Sequence, residues 1–185
     1  GTLLGVKQSG YISAVGFSLY CRLLAEAVEE QKAKPTGTAV TRPSSLPPPT
    51  IDLPLSAYIP EAYIADLETR LSLYQSLSKL DKVELVEALD DEFSDRFGTL
   101  PMEVKNLLYA VKLKAQAARA GIESIATEDG QIVLRLFPGM RFDKQKLEPL
   151  LREGIKLGTT QLRLHPKRLG KEWQKVLEGV VRRIG

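Results

Sequence analysis

Between Lys34 and Pro49 the chain carries Pro35, Pro43, Pro47, Pro48 and Pro49 among Thr, Ser and Gly, with almost no large apolar side chain. Such a stretch cannot bury enough surface to offset the entropy of ordering it. It reads as an exposed linker, residues 34–49, which leaves residues 1–33 and 50–185 as the segments able to fold. Proteolysis is expected to nick between Lys34 and Arg42 and to leave 46–185 as a cooperatively unfolding product. Loss of cooperative unfolding in that product would show that the first segment belongs to the same core. A chain of 185 residues, 43% hydrophobic and 26% charged, has the material for a self-sufficient core; roughly 70% of its unfolded surface can be buried at this size. No run approaches the ~18 to 20 apolar residues that a bilayer crossing requires.

The first segment opens with a glycine-rich loop, Gly1 to Gly10. An amphipathic helix follows from about Ser13 to Ala33, with Val15, Leu19, Leu23, Ala27 and Val28 at helical spacing. Past the linker, Thr50 to Leu55 alternates as a short strand, and Pro54 marks an edge or an end. Pro60 suits the first turn of a helix whose stripe is Ile64, Leu67, Leu71, Tyr74, Leu77 and Leu80. Asp81 is the expected N-cap of a second helix carrying Val83, Val86, Leu89 and Phe93 and stopped by Gly98; Thr99 is the expected cap of a third that ends at Gly121. Asp129-Gly130 between Ile122–Thr127 and Ile132–Phe137 predicts a tight hairpin. A short helix near Asp143 to Leu151, a strand near Thr160 to Leu164 and a basic helix from about Gly170 to Ile184, with Trp173, Val176, Leu177, Val180 and Val181 apolar, complete the reading. The fold class is α/β of the α+β type: a helical segment plus a compact domain with a small, mainly antiparallel sheet packed by several helices.

The net charge is only +3, but it is unevenly placed. Glu61 to Asp95 holds ten acids against three bases, and Lys156 to the end holds eight bases against two acids. Most such charges are solvated helix faces, and a concentration of one sign also suits docking to a charged partner. Catalytic readings are poorly supplied. The single cysteine, Cys21, has no neighbouring charge to make it a thiolate, and His165 before Pro166 reads as a turn residue. A zinc site of nitrogen and sulfur ligands lacks its donors, and consecutive Asp90-Asp91-Glu92 point about 100° apart on a helix, so no metal site is expected. Neither glycine-rich nucleotide cradle is present, and no cofactor, ATP hydrolysis or catalytic residue is expected. With no internal disulfide and no basic-then-apolar leader, the cytoplasm is the expected compartment, without membrane contact.

The run Glu92-Phe93-Ser94-Asp95-Arg96-Phe97-Gly98 is different in kind. If helical, it sets Glu92, Asp95 and Arg96 at i, i+3 and i+4 on one face, with Phe93 and Phe97 on an apolar face about a quarter turn away. An exposed Glu92–Arg96 pair is worth only about 0.3 to 0.5 kcal/mol by itself, whereas against a complementary partner the same groups fix register and orientation.

At the level of motifs, Leu3-Leu4-Gly5-Val6-Lys7-Gln8-Ser9-Gly10 and Gly16-Phe17-Ser18-Leu19-Tyr20 resemble the end of the translocase module of the bacterial transcription-repair coupling factor family. Tyr58-Ile59-Pro60, Thr69-Arg70-Leu71-Ser72-Leu73-Tyr74, Asp95-Arg96-Phe97-Gly98 with Pro101, and Asn106-Leu107-Leu108 resemble that family's C-terminal domain. The resemblance covers nearly the whole chain and implies three parts: the translocase end at 1–33, the linker at 34–49 and a C-terminal regulatory domain at 50–185. It also implies a motor that acts on duplex DNA and pushes stalled RNA polymerase. In that family the C-terminal domain folds back on an N-terminal UvrB-like domain and masks the surface that recruits UvrA. Carried over by residue, Glu92, Asp95 and Arg96 match the polar contacts to the masked domain. Gln8 matches a glutamine of the motif coupling ATP hydrolysis to translocation; the arginine that works with it falls upstream of this sequence. The expected role is therefore an intramolecular clamp. The alternative is an accessory DNA-binding module, with Lys167, Arg168, Lys171, Lys175, Arg182 and Arg183 on phosphates.

Overall fold

The computed structural model describes residues 47–185; the expected helix at 13–33, Cys21, Gln8 and most of the proline-rich stretch lie outside the described residues. The described part divides into two compact units, one spanning 54–112 and the other 48–53 with 113–185.

The first unit is helical. After the loop 52–66 come α1 (Leu67–Ser78), α2 (Val83–Phe97) and α3 (Met102–Ala120), the last of which continues into the second unit. Helix α1 starts later than its apolar spacing suggests. The Pro60 carbonyl accepts from the amides of Tyr63 and Ile64, closing one isolated turn. Asp66 then takes an extended backbone, and its carboxylate accepts from the Thr69 amide at 3.1 Å, so the true cap sits six residues beyond Pro60. Arg70 holds the intervening chain by donating to the carbonyls of Ile64 (2.6 Å) and Ala65 (3.0 Å). Helix α2 departs from expectation in a smaller way: Lys82, not Asp81, occupies its cap position, without a side-chain bond. Pro101 precedes α3, and its carbonyl accepts from Val104 and Lys105. The core of this unit gathers Ile59, Ile64, Leu73, Tyr74, Leu77, Val86, Phe93, Val104, Leu107 and Val111. Two polar side chains are absorbed into it by pinning the loop: the Tyr74 hydroxyl accepts from the Ile59 amide (2.7 Å), and Asn106 donates to the Ser56 carbonyl (3.1 Å).

The second unit is built on a five-stranded sheet. Its strands are β1 (Thr50–Ile51), β2 (Ile122–Glu128), β3 (Gln131–Leu136), β4 (Ile155–Leu157) and β5 (Gln161–Leu164), in the order β1-β2-β3-β5-β4. Only β1 runs parallel to its neighbour; the other pairings are antiparallel, as a mainly antiparallel sheet requires. Asp129 and Gly130 take φ of 51° and 75°, the primed turn that Asp-Gly predicts. Ile125, Leu134 and Leu162 stand in register across three strands and are fully buried, as are Ile132 and Leu164. The short helices α4 (Lys144–Leu147) and α5 (Pro166–Leu169) precede the final α6 (Trp173–Ile184), whose Leu177, Val180 and Val181 are buried. Trp173 and Val176, expected on the buried side, are only half-buried.

The opposite face of the sheet is polar. Glu128 on β2 receives both guanidinium donors of Arg135 on β3, at 2.8 and 3.0 Å, and lies 4.0 Å from Arg163 on β5. The Arg135 hydrogen bonds hold the Glu128 carboxyl below the usual glutamate range. A folded-state pKa below the unfolded one stabilises the fold fully above the ordinary value of about 4.3, and that stability is lost as pH falls through the folded value. Glu128→Gln is therefore expected to lower Tm at pH 7 and to melt progressively more like the parent protein below about pH 4. A Tm difference that stayed constant from pH 7 to pH 3 would show that the Glu128 charge is not what is lost.

Candidate functional site

Helix α2 is amphipathic in an unequal way. Val86 and Phe93 are buried, Leu89 and Phe97 are half-buried, and the rest of its surface is solvent-facing. Phe93 is fully buried; Phe97 meets it edge-to-face at 6.1 Å and meets Tyr63 at 6.0 Å. The Tyr63 hydroxyl reaches the carbonyls of Phe93 (3.1 Å) and Gly98 (2.9 Å), so one donor serves the last turn of the helix and the residue that stops it. Burial, and then the charge of Asp90, raise the Tyr63 pKa and keep that proton in place. Gly98 has φ of +90°, a backbone conformation that a side chain would strain, and its amide closes on the Ser94 carbonyl.

On this seat Glu92, Asp95 and Arg96 are all exposed, as their spacing predicts. Arg96 donates to Glu92 at 3.3 Å, both side chains half exposed, and its guanidinium lies 4.8 Å above the Phe97 ring. A cation over an aromatic face gains about 0.5 to 1 kcal/mol at an exposed site, comparable with the ion pair itself. The two contacts hold one orientation of a long side chain that would otherwise lose rotamer freedom on docking. Asp95 makes no hydrogen bond or ion pair within the described residues and is directed at solvent. The surrounding face is acidic: Glu84, Glu87 and Asp91 are exposed, and Lys112 of α3 meets Glu87 at 3.3 Å.

The other candidate residues are distributed differently. Lys167 and Arg168 are exposed on α5, Lys171 on the 3-10 turn that follows, and Lys175 and Arg182 on α6. Lys175 and Arg182 are seven positions apart, two turns along one helix face. Arg183 is exposed and donates to the Lys146 carbonyl at 3.1 Å. His165 precedes α5 at its cap position, its amide bonded to the Gly154 carbonyl. Among the described residues no group of three or more His, Cys, Asp or Glu side chains is placed to hold a metal ion, and no helix is long and apolar enough to cross a membrane. The aromatic seat under Arg96 was not legible as a site, because Tyr63 is brought to Phe97 by tertiary packing across 34 positions.

A helical unit, a mixed sheet and a charged helix face set on an aromatic cluster define a small α+β domain. The chain belongs to the TRCF domain family, whose sequence model matches residues 53–147. It is 35% identical over 190 aligned residues to the transcription-repair-coupling factor of Staphylococcus haemolyticus (strain JCSC1435), covering 98% of this chain and 16% of that protein. It is 37% identical over 134 residues to the same-named protein of Staphylococcus aureus (strain USA300), covering 72% and 11%. The chain thus spans about a sixth of the length of these relatives or less. Among solved structures, the C-terminal domain of transcription-repair coupling factor superposes with a TM-score of 0.62 at 23% identity, over 74% of this chain and 89% of that one, and shares its fold.

Proposed function

We propose that this domain is a regulatory clamp of a transcription-repair coupling factor. It docks through Glu92, Asp95 and Arg96 on the UvrB-like N-terminal domain of the full-length protein, masks the surface that recruits UvrA, and restrains a DNA translocase that acts on RNA polymerase. On this reading residues 1–33 close the translocase module, 34–49 are the linker, 50–185 are the clamp, and the protein works in the cytoplasm without catalysis by this part. The observation that carries the reading is the presentation of the three side chains. They are exposed together on one face of α2, and Arg96 is oriented by Glu92 and Phe97. Preorganised charge gives a docking site its specificity at low ordering cost.

The test is binding of this chain to the separately produced N-terminal domain, with UvrA as competitor. Saturable binding that UvrA displaces is expected; binding that ignores UvrA would remove the masking role. The exposed cations of α5 and α6 favour a second reading, contact with duplex DNA. Salt separates the two, because affinity for DNA falls by about 0.9 log units per log unit of salt for each phosphate neutralised.

A further inference from the structure

Leu85 lies on the polar side of α2, off the stripe formed by Val86, Leu89 and Phe93, and is 46% exposed. A large apolar side chain in that place is not needed by the core. Leu85, Ala88, Glu92 and Arg96 recur at i, i+3, i+7 and i+11, so they form one stripe along the exposed side, about 16 Å long. Ala88 is exposed and small, which lets a partner approach the helix backbone beside Leu85. Glu84, Asp91 and Asp95 line one flank of the stripe, all exposed. This is the pattern of a helix that lays one face in a groove: an apolar anchor at one end, oriented charges at the other, and a flank of a single sign.

We propose that the docking face of α2 extends to Leu85 and Ala88, and that its occupant is a groove on the N-terminal domain of the same protein. That groove has an apolar hollow for Leu85 and cationic side chains facing Glu84, Asp91 and Asp95. The proposal rests on the clamp reading and adds to it the anchor and the chemistry of the partner surface. The acidic flank decides the class of partner, since carboxylates repel a phosphate backbone and attract lysine and arginine. Polar contacts fix register, while a desolvated apolar anchor carries a large part of the affinity. The two ends of the stripe therefore respond differently to salt.

The experiment is titration of this chain with the separately produced N-terminal domain at 50 and 300 mM salt, for the parent chain, Leu85→Ala, and the triple variant Glu92→Ala/Asp95→Ala/Arg96→Ala. Leu85→Ala, exposed and therefore expected to melt as the parent does, should weaken binding about tenfold, roughly 1.4 kcal/mol, and leave the salt dependence unchanged. The triple variant should weaken binding and flatten the salt dependence. If Leu85→Ala binds as the parent while the triple variant does not, the extension to Leu85 is overturned and the clamp reading stands. If both bind as the parent, both fall. Self-association of the chain that Leu85→Ala abolishes, with unchanged binding to the N-terminal domain, would assign the anchor to a second copy and overturn the proposal.

Discussion

Phe93→Ala is expected to lower the unfolding free energy by about 3 to 5 kcal/mol, the range for removing a fully buried aromatic ring. Phe93 has no exposed surface and meets Phe97 edge-to-face, and Phe97 in turn meets Tyr63. Removing its ring leaves a cavity beneath the turn that presents Arg96, so the loss is felt by the helical unit as a whole. Against a typical domain stability of about 5 to 15 kcal/mol, that is enough to broaden or abolish the thermal transition. Circular dichroism melts compare the variant with the parent directly. A Phe93→Ala protein that melted like the parent would mean that the aromatic cluster does not seat the helix.

The triple variant Glu92→Ala/Asp95→Ala/Arg96→Ala is expected to show the reverse pattern. The three side chains face solvent, and surface substitutions of this kind change stability by about 0.5 kcal/mol or less. Docking is a different matter. Truncating charge-paired groups in a desolvated interface typically costs about 2 to 5 kcal/mol, which is about 30-fold to a few thousand-fold in the dissociation constant. Calorimetric titration against the N-terminal domain therefore separates the two substitutions: Phe93→Ala fails by unfolding, and the triple variant fails while folded. A folded triple variant that bound with parental affinity would place the interface elsewhere, with the cations of α5 and α6 the next surface to examine.

Local chemistry made much of this fold readable. The hairpin is specified by Asp129-Gly130, the stops of α2 and α3 by Gly98 and Gly121, and the outward placement of Glu92, Asp95 and Arg96 by helical spacing alone. What escaped reading depends on partners distant in sequence or on very short elements. Strand β4 has three residues and exists through its pairing with Leu162–Leu164; nothing in Ile155-Lys156-Leu157 distinguishes it from loop. Helix α5 is one turn, begun at Pro166 where the fixed φ suits a helix start. The start of α1 was misplaced because Pro60 and Asp66 both suit a helix entry, and the Asp66 carboxylate bond to Thr69 decides between them. Leu85 was legible in principle as an apolar residue on a polar face, but its exposure had to be seen for the anomaly to acquire meaning.

The claim at the centre of this account is that the face bearing Glu92, Asp95 and Arg96 holds a masked state. A ligand that binds only the open state has its apparent affinity reduced by the fraction of molecules that are open. The most direct measurement is therefore the affinity of the full-length protein for UvrA, parent against the triple alanine variant, at one salt concentration. The account predicts tighter binding by the variant, by at least about tenfold if the closed state dominates in the parent. Equal affinity in a variant that melts normally would contradict it.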